Sequence, residues 1–172
     1  RAVVEIRNLT GAAAIRQIWF VANHTPIALA VVGDDADDNG VVEIAVLSRR
    51  DSDGRGLVEV KNAFGPTNTS SIWTAAGFTP LDLEIAPDAD TNGVPEVAVL
   101  SARDSDGRIV VEVKNAAGPT NPRSVWFMSG NTALDLTIVA DADANGLPEV
   151  AVLSKRDSDG RMVVEVKNAA GV

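Results

Sequence analysis

Short runs of alternating apolar and polar residues recur along the chain. The segments 81–85 (LDLEI) and 134–138 (LDLTI) alternate in this way, as a half-buried β-strand does. Segments of the type VEVK, which begin at Val58, Val111 and Val164, alternate as well. The segment 97–100 (VAVL) is apolar throughout, which predicts a strand covered on both faces. No stretch carries a capped apolar stripe of helical period, so we expect little helix.

The same blocks return with a period of about 53 residues. RAVVEIRN at Arg1 is followed by RGLVEVKN at Arg55, RIVVEVKN at Arg108 and RMVVEVKN at Arg161, at intervals of 54, 53 and 53 residues. Between these blocks lie, in fixed order, a Trp segment, an alternating segment, an acidic loop and a second apolar segment ending in RDSDGR. The surplus residue of the first copy falls before its acidic loop, where we expect a β-bulge to absorb it.

Four short strands in each repeat, separated by Gly, Pro, Asn and Asp, are typical of a β-propeller blade. We therefore predict an all-β fold of tandem four-stranded β-propeller-type blades. Closed propellers have about four to eight blades, so about three repeats indicate part of a longer propeller, an oligomeric ring or a repeat filament. The predicted units are 1–54, which starts at the third strand of a blade, then 55–107, 108–160 and the start of a fourth repeat at 161–172.

Composition excludes several classes of function. The net charge of -9 argues against nucleic acid, which requires clustered Lys and Arg. Cysteine is absent, His24 is the single histidine, and no Ser, His and acid set recurs, so we expect no enzyme. No apolar run approaches the roughly 18 residues of a membrane span, and we expect no membrane insertion. The start at Arg1, without a leader segment, indicates a processed product or an excerpt.

The strongest chemical signal is the spacing DxDxNGxxE, which occurs three times. Three carboxylates about 4 to 5 Å apart repel one another by about 3 to 4 kcal/mol per pair at an effective dielectric near 20. Calcium takes oxygen ligands from alternate side chains and from a backbone carbonyl of a tight loop, so we predict one Ca²⁺ per repeat, three in total. The predicted ligands are Asp35, Asp37, Asn39, the Val41 carbonyl and Glu43; Asp88, Asp90, Asn92, the Val94 carbonyl and Glu96; and Asp141, Asp143, Asn145, the Leu147 carbonyl and Glu149.

Two other interpretations of these loops compete with a calcium site. An EF-hand requires a bidentate Glu at loop position twelve between two helices, but that position is Val46, Val99 or Val152 in an apolar segment. A solvated turn is a common use of Asp, Asn and Gly. Three occurrences in register favour the metal site over the solvated turn.

The order of strand, DxDxNGxxE loop, strand, Gly-containing hairpin and third strand resembles the FG-GAP/VCBS repeats, the calcium-loop blades of integrin-alpha-like β-propellers. Phe64-Gly65-Pro66 matches a piece of the motif that names the family. The third and fifth loop positions are Asp then Asn here, whereas the family more often has Asn then Asp. The resemblance implies a Ca²⁺ loop between the first and second strands of each blade, with the ligands named above.

Two further motifs have two interpretations each, and a third is a modification signal. RDSDGR, at Arg50, Arg103 and Arg156, predicts a hairpin turn, with a second cation site as the alternative. The repeated tryptophans suit either the core between repeats or a carbohydrate-stacking surface. Sequons raise the possibility of glycan attachment. The tryptophans are Trp19, Trp73 and Trp126, and the sequon asparagines are Asn8, Asn23 and Asn68.

These features favour a non-catalytic, secreted, extracellular module in which calcium stabilises the repeats. We expect a structural or adhesive role, as an adhesin or surface-fibre segment, with self-association or continuation of the repeat array. Loop affinities of about 10⁻⁴ to 10⁻³ M would suit extracellular calcium. The alternative is a carbohydrate-binding lectin or the accessory propeller of a polysaccharide-degrading enzyme, with a carbohydrate or cell-surface ligand.

Overall fold

The computed structural model describes residues 1–7, 16–33, 35–119 and 121–171. All regular secondary structure in these ranges is β-strand, and every pair of neighbouring strands is antiparallel. The strands are β1 (Val3–Ile6), β2 (Arg16–Trp19), β3 (His24–Val32), β4 (Glu43–Arg50), β5 (Gly56–Asn62), β6 (Thr69–Trp73), β7 (Phe78–Ala86), β8 (Glu96–Arg103), β9 (Ile109–Asn115), β10 (Arg123–Trp126), β11 (Asn131–Val139), β12 (Glu149–Arg156) and β13 (Met162–Asn168).

The strands form four sheets in which chain neighbours pair. The first sheet has the order β3-β4-β5-β6, the second β7-β8-β9-β10 and the third β11-β12-β13, while β1 pairs with β2. This arrangement confirms the predicted all-β class of tandem four-stranded blades. The described part of the chain includes no helix with the length and apolar character that a membrane crossing requires.

Successive sheets stack face to face, and the core lies between them. On β8, Val97 and Val99 join the apolar cluster of the first sheet, whereas Ala98 and Leu100 join the cluster of the third. All four side chains are buried, which confirms the prediction that this apolar segment is covered on both faces. Alternation along the strand therefore joins one sheet to two neighbours.

The first strand of each sheet carries a β-bulge, between Pro26 and Ala28, Pro80 and Asp82, or Ala133 and Asp135. The expectation that a bulge absorbs the surplus residue of the first copy is wrong, because all three copies have one. The additional residue lies instead in the connection between Val32 and Asp35, which is one residue longer than its equivalents.

A Glu–Lys pair links each sheet to the preceding one, and the pair is largely buried in the first and second sheets and partly exposed in the third. In the second sheet, the Glu112 carboxylate accepts a hydrogen bond from the Ala75 N–H at 3.0 Å. The Lys114 ammonium donates to the Trp73 carbonyl at 2.7 Å and lies 3.1 Å from Glu112. Equivalent contacts join Glu59 and Lys61 to Val21 and Trp19, and Glu165 and Lys167 to Met128 and Trp126. The sequence analysis did not find these pairs, because alternation in VEVK predicts a solvated polar face.

Candidate metal centre

An acidic loop connects the two strands of each of the pairs β3–β4, β7–β8 and β11–β12. We name these loops loop 1 (35–43), loop 2 (88–96) and loop 3 (141–149). In loop 2, the Asp88 carboxylate accepts the N–H groups of Asn92 and Gly93, both at 2.8 Å. Asp35 accepts the equivalent N–H groups of Asn39 and Gly40 in loop 1. The side chain of the first Asp therefore caps the turn of the loop, and the turn positions the other acidic residues.

The middle of each loop has a left-handed backbone at two positions. Glycine occupies the sixth position, with φ of 81°, 85° and 87° in the three loops, a conformation that glycine adopts without steric cost. The fourth position is left-handed although it is not glycine, so the loop holds it in a less populated region. The residues at these positions are Gly40, Gly93 and Gly146, and Asp38, Thr91 and Ala144.

The fifth-position asparagine braces the second half of the loop. Its side-chain oxygen accepts the N–H of the seventh residue at 2.9, 2.8 and 2.8 Å in the three loops. This contact fixes the position of the asparagine beside the acids. The ligand roles of Asn39, Asn92 and Asn145 and of the carbonyls of Val41, Val94 and Leu147 remain predictions.

A buried glutamate closes each loop at the start of the second strand. Glu43, Glu96 and Glu149 are 2%, 0% and 4% exposed. One carboxylate oxygen of each accepts the N–H of the second loop residue, at 3.0, 2.7 and 2.7 Å. The other oxygen of Glu43 and of Glu149 is buried and has no hydrogen-bond partner among the residues that the structure describes. Such an oxygen destabilises the fold unless something neutralises it.

The carboxylates of each loop converge. One oxygen from each of the first, third and ninth positions lies within 4.8 Å of the other two. Asp37 and Asp90 each carry a further buried oxygen without a hydrogen-bond partner. Oxygen-only donor groups suit hard divalent cations, so the residues present fit such an ion. The convergent sets are Asp35, Asp37 and Glu43; Asp88, Asp90 and Glu96; and Asp141, Asp143 and Glu149.

The local electrostatics show the cost of this arrangement. Burial raises the pKa of Glu43 above its ordinary value, and the negative charges of Asp37 and Asp35 act in the same direction. Burial likewise raises the pKa of Glu96. Burial also acts to raise the pKa of Asp35, but the backbone N–H groups of Gly40 and Asn39 outweigh it, and the net change is downward. A cation bound among these groups would favour their ionised forms.

Loop 2 differs from the others because an arginine reaches into it. The Arg123 guanidinium lies 3.1 Å from a Glu96 oxygen and 3.2 Å from an Asp90 oxygen. The equivalent of Arg123 in the first sheet is Ser70. Arg123 pairs with Val113 on β9, and Ser70 pairs with Val60, the equivalent residue on β5. The three loops therefore share a backbone pattern but do not share a charge environment.

Loop 3 is the most open of the three. Asp141 and Asp143 are exposed, whereas Glu149 is buried. The Asn145 N–H donates to Asp143 at 3.2 Å, whereas the equivalent N–H groups in loops 1 and 2 donate to the first-position aspartate. The Asp141 backbone has a φ of 20°. The carboxylates still converge in this loop, with less support from the backbone.

The predicted sequons fall at different places. Asn23 is exposed and has a left-handed backbone, with φ of 60°. The Asn68 side-chain amide donates to the Asp37 carboxylate of loop 1, and the Asn121 amide donates to Asp90 at 2.7 Å in the same way. A glycan on Asn68 would alter this contact, and Asn8 lies outside the described residues.

The RDSDGR segments form the hairpin turns between second and third strands. The Arg50 guanidinium donates to Asp53, and the Arg50 N–H bonds the Arg55 carbonyl at 2.9 Å across the turn. Asp51 accepts a hydrogen bond from the Thr25 hydroxyl at 2.9 Å. Each acid therefore has its own partner, and among the residues that the structure describes these turns contribute no convergent acidic group. The hairpin interpretation is confirmed.

The tryptophans lie at the surface between arginines. Trp73 is half-buried, and the guanidinium groups of Arg50 and Arg55 lie 4.8 and 5.2 Å from its ring centroid, a cation–π geometry. Arginine thus lies where a sugar ring would stack on Trp73. Trp126 contacts Arg103 and Arg108 in the same way, and Trp19, which is 48% exposed, contacts Arg1. Phe20 and Phe127, one residue further along, occupy the core instead.

Comparison with protein-family models, with curated proteins and with solved structures found no match to this chain. The functional assignment of the loops therefore depends on their residues and geometry.

Proposed function

We propose that this chain is a non-catalytic, extracellular repeat module in which the acidic loops bind Ca²⁺ and so stabilise the stacked sheets, in a structural or adhesive role. One observation carries the proposal: in loops 1 and 3, the convergent acidic group includes a buried glutamate oxygen that has no hydrogen-bond partner. A divalent cation would neutralise that oxygen and remove the repulsion among the acids.

Calcium suits the loops better than other common metals. The side-chain donors are carboxylates and amides, without Cys or His, which disfavours zinc and copper. Magnesium requires near-ideal octahedral geometry and keeps several of its waters, whereas calcium accepts six to eight oxygens in flexible arrangements. The loop lies between the first and second strands of each sheet, where the resemblance to FG-GAP/VCBS repeats implies a calcium loop.

The proposed extracellular setting implies a range of calcium affinity. Calcium-binding modules with dissociation constants of about 10⁻⁴ to 10⁻³ M fill outside cells, where calcium is abundant. The net charge of -9 also favours a cation-rich medium, because three bound Ca²⁺ ions would add six positive charges and leave about -3.

Isothermal titration calorimetry with Ca²⁺ and with Mg²⁺ tests the metal assignment, using the Glu43→Gln and Glu149→Gln variants. Each substitution keeps the size of the side chain and removes its negative charge. We expect Ca²⁺ binding in the range given above, much weaker Mg²⁺ binding, and the loss of one site in each variant. Ser158→Ala, in an exposed hairpin turn, serves as the control. Absence of Ca²⁺ binding, or equal binding by all variants, would refute the assignment.

A further repeat unit is the proposed partner of the third sheet. On β13, Val164 and Val166 are 62% and 51% exposed, whereas their equivalents on β9, Val111 and Val113, are fully buried against the third sheet. The same face of the third strand is thus covered by the next sheet at β9 and exposed at β13. We propose that self-association, or continuation of the repeat array, covers it.

Light scattering coupled to size-exclusion chromatography tests this proposal on the chain itself. We expect concentration-dependent association, and we expect Val164→Asp to abolish it while leaving the strand folded, since the side chain is exposed. Ser158→Asp adds the same charge in the adjacent hairpin turn and should not affect association. A monomer at all concentrations, or equal association of both variants, would contradict self-association through β13.

A further inference from the structure

Loops 1 and 2 differ in whether the chain supplies a cation of its own. Arg123 on β10 extends into loop 2, and its side chain is only 14% exposed. One guanidinium nitrogen lies 3.1 Å from Glu96 and another lies 3.2 Å from Asp90. Glu96 therefore has partners for both carboxylate oxygens, one from Arg123 and one from the Ala89 N–H.

Loop 1 has no such partner among the described residues. Ser70 occupies the strand position equivalent to that of Arg123, and it lines a small cavity together with Asp37 and Glu43. A Glu43 oxygen and an Asp37 oxygen are buried there without hydrogen-bond partners. A serine and a small cavity thus lie beside loop 1 at the position where the Arg123 side chain lies beside loop 2.

We propose that Arg123 acts as an internal cation for loop 2 and makes it a weaker calcium site than loop 1. This inference rests on the proposed calcium binding. A monovalent guanidinium held against two ligand carboxylates stabilises them without metal, and it repels a divalent ion that approaches the same oxygens. Loops 1 and 2 are then of two kinds: loop 1 depends on calcium, while loop 2 is partly neutralised by the protein.

Reciprocal variants test the role of Arg123. Arg123→Ser reproduces the residue found in the first sheet, and Ser70→Arg places the guanidinium beside loop 1. The glycine at the sixth position of each loop gives one amide signal per loop in a ¹H–¹⁵N NMR titration with Ca²⁺, so each site is followed separately. Ser124→Ala, at the exposed neighbour of Arg123, is the control.

In the wild type we expect Gly93 to respond at calcium concentrations at least about tenfold higher than Gly40, given the repulsion between the two cations. Arg123→Ser should bring the response of Gly93 to that of Gly40. Ser70→Arg should weaken the response of Gly40 by a similar factor and leave Gly146 unchanged. In chelator, Arg123→Ser should melt at a lower temperature than Ser124→Ala, and excess calcium should remove most of that difference.

The outcomes separate the two proposals. Three equal affinities in the wild type, unchanged in Arg123→Ser, would overturn the role of Arg123 and leave calcium binding intact. Absence of a calcium response at all three glycines, in the wild type and both variants, would instead refute calcium binding itself. Should Arg123→Ser fail to fold, the response of Gly40 in Ser70→Arg decides: an unchanged affinity at loop 1 would overturn the inference.

Discussion

Two buried glutamates on neighbouring strands of the first sheet differ in how their charge is balanced. Glu59 on β5 is 5% exposed, and the Lys61 ammonium lies 3.0 Å from it. Glu43 on β4 is as deeply buried, but its charged neighbours are Asp35 and Asp37, and one of its oxygens has no hydrogen-bond partner. The first sheet therefore contains one buried glutamate that lies beside a lysine and another that lies beside two aspartates.

This difference separates two sources of stability. The Glu–Lys pair is complete within the protein and joins adjacent sheets, so its contribution does not depend on the medium. The loop glutamate has no such partner among the described residues, so under the proposed calcium binding its contribution depends on the calcium concentration. Glu96, which contacts Arg123, lies between the two cases. Because these two groups of contacts are separate, one set of substitutions should affect the interface between the sheets and another should affect the loops.

Removing calcium should have the largest effect. At calcium concentrations about twenty times the Kd, each filled loop contributes roughly 2 kcal/mol to the free energy of unfolding, so two or three loops contribute about 4 to 6 kcal/mol. For a chain of this length that lowers the Tm by roughly 10 °C or more. Differential scanning calorimetry with and without chelator measures the change, and chelator saturated with calcium is the control. A Tm that is the same in both conditions would contradict calcium as a stabilising element.

Breaking the sheet interface should come next, and it should not depend on calcium. Lys114→Met keeps the length of the side chain but leaves the buried Glu112 without its cation, which costs about 3 to 5 kcal/mol. Lys155→Met, at an exposed position of β12, is the matched control. Chemical denaturation in calcium and in chelator should give the same loss for Lys114→Met. A loss that appears only in chelator would show that the interface and the loops are coupled rather than separate.

Replacing one loop acid should have a smaller effect. Asp143→Ala removes one of the three convergent carboxylates of loop 3, so we expect that loop to lose its ion and the protein to lose about 2 kcal/mol of calcium-dependent stability. Native mass spectrometry counts the bound ions, and Ser158→Ala is the control. Retention of the same number of ions by Asp143→Ala would exclude Asp143 as a ligand.

Much of this architecture follows from sequence pattern. Alternation and full apolarity predict the strands, and the regular spacing of Asp35, Asp37 and Glu43 predicts their convergence, because both depend on residues near one another in the chain. The sheet interface does not follow in this way. Glu59 and Lys61 have the alternation of a solvated face, and only the stacking of a second sheet buries them.

The position of Arg123 shows the same limit. In an alignment of the repeats, Arg123 corresponds to Ser70. Only the pairing of β9 with β10 brings the Arg123 guanidinium to Glu96, 27 residues earlier in the chain. The tryptophans also depend on tertiary contacts. Their period fits a core position, yet the arginines of the hairpin turns hold Trp73 and Trp126 at the surface.

The smallest effect concerns acids that are exposed and already paired. The hydrogen bond from Arg50 lowers the pKa of Asp53 to about 2, and that from Arg103 does the same for Asp106. Because the folded-state pKa lies below the ordinary value of 3.8, each pair stabilises the fold above that value and loses its contribution as the pH falls through about 2. In Arg50→Met, the Asp53 pKa should rise toward 3.8 while that of Asp106 stays near 2. Carboxyl ¹³C NMR titration measures both pKa values in one sample. An Asp53 pKa that is the same in Arg50→Met and in the wild type would contradict the role of Arg50. The hairpin turn would then differ from the sheet interface, where a lysine balances the buried glutamate.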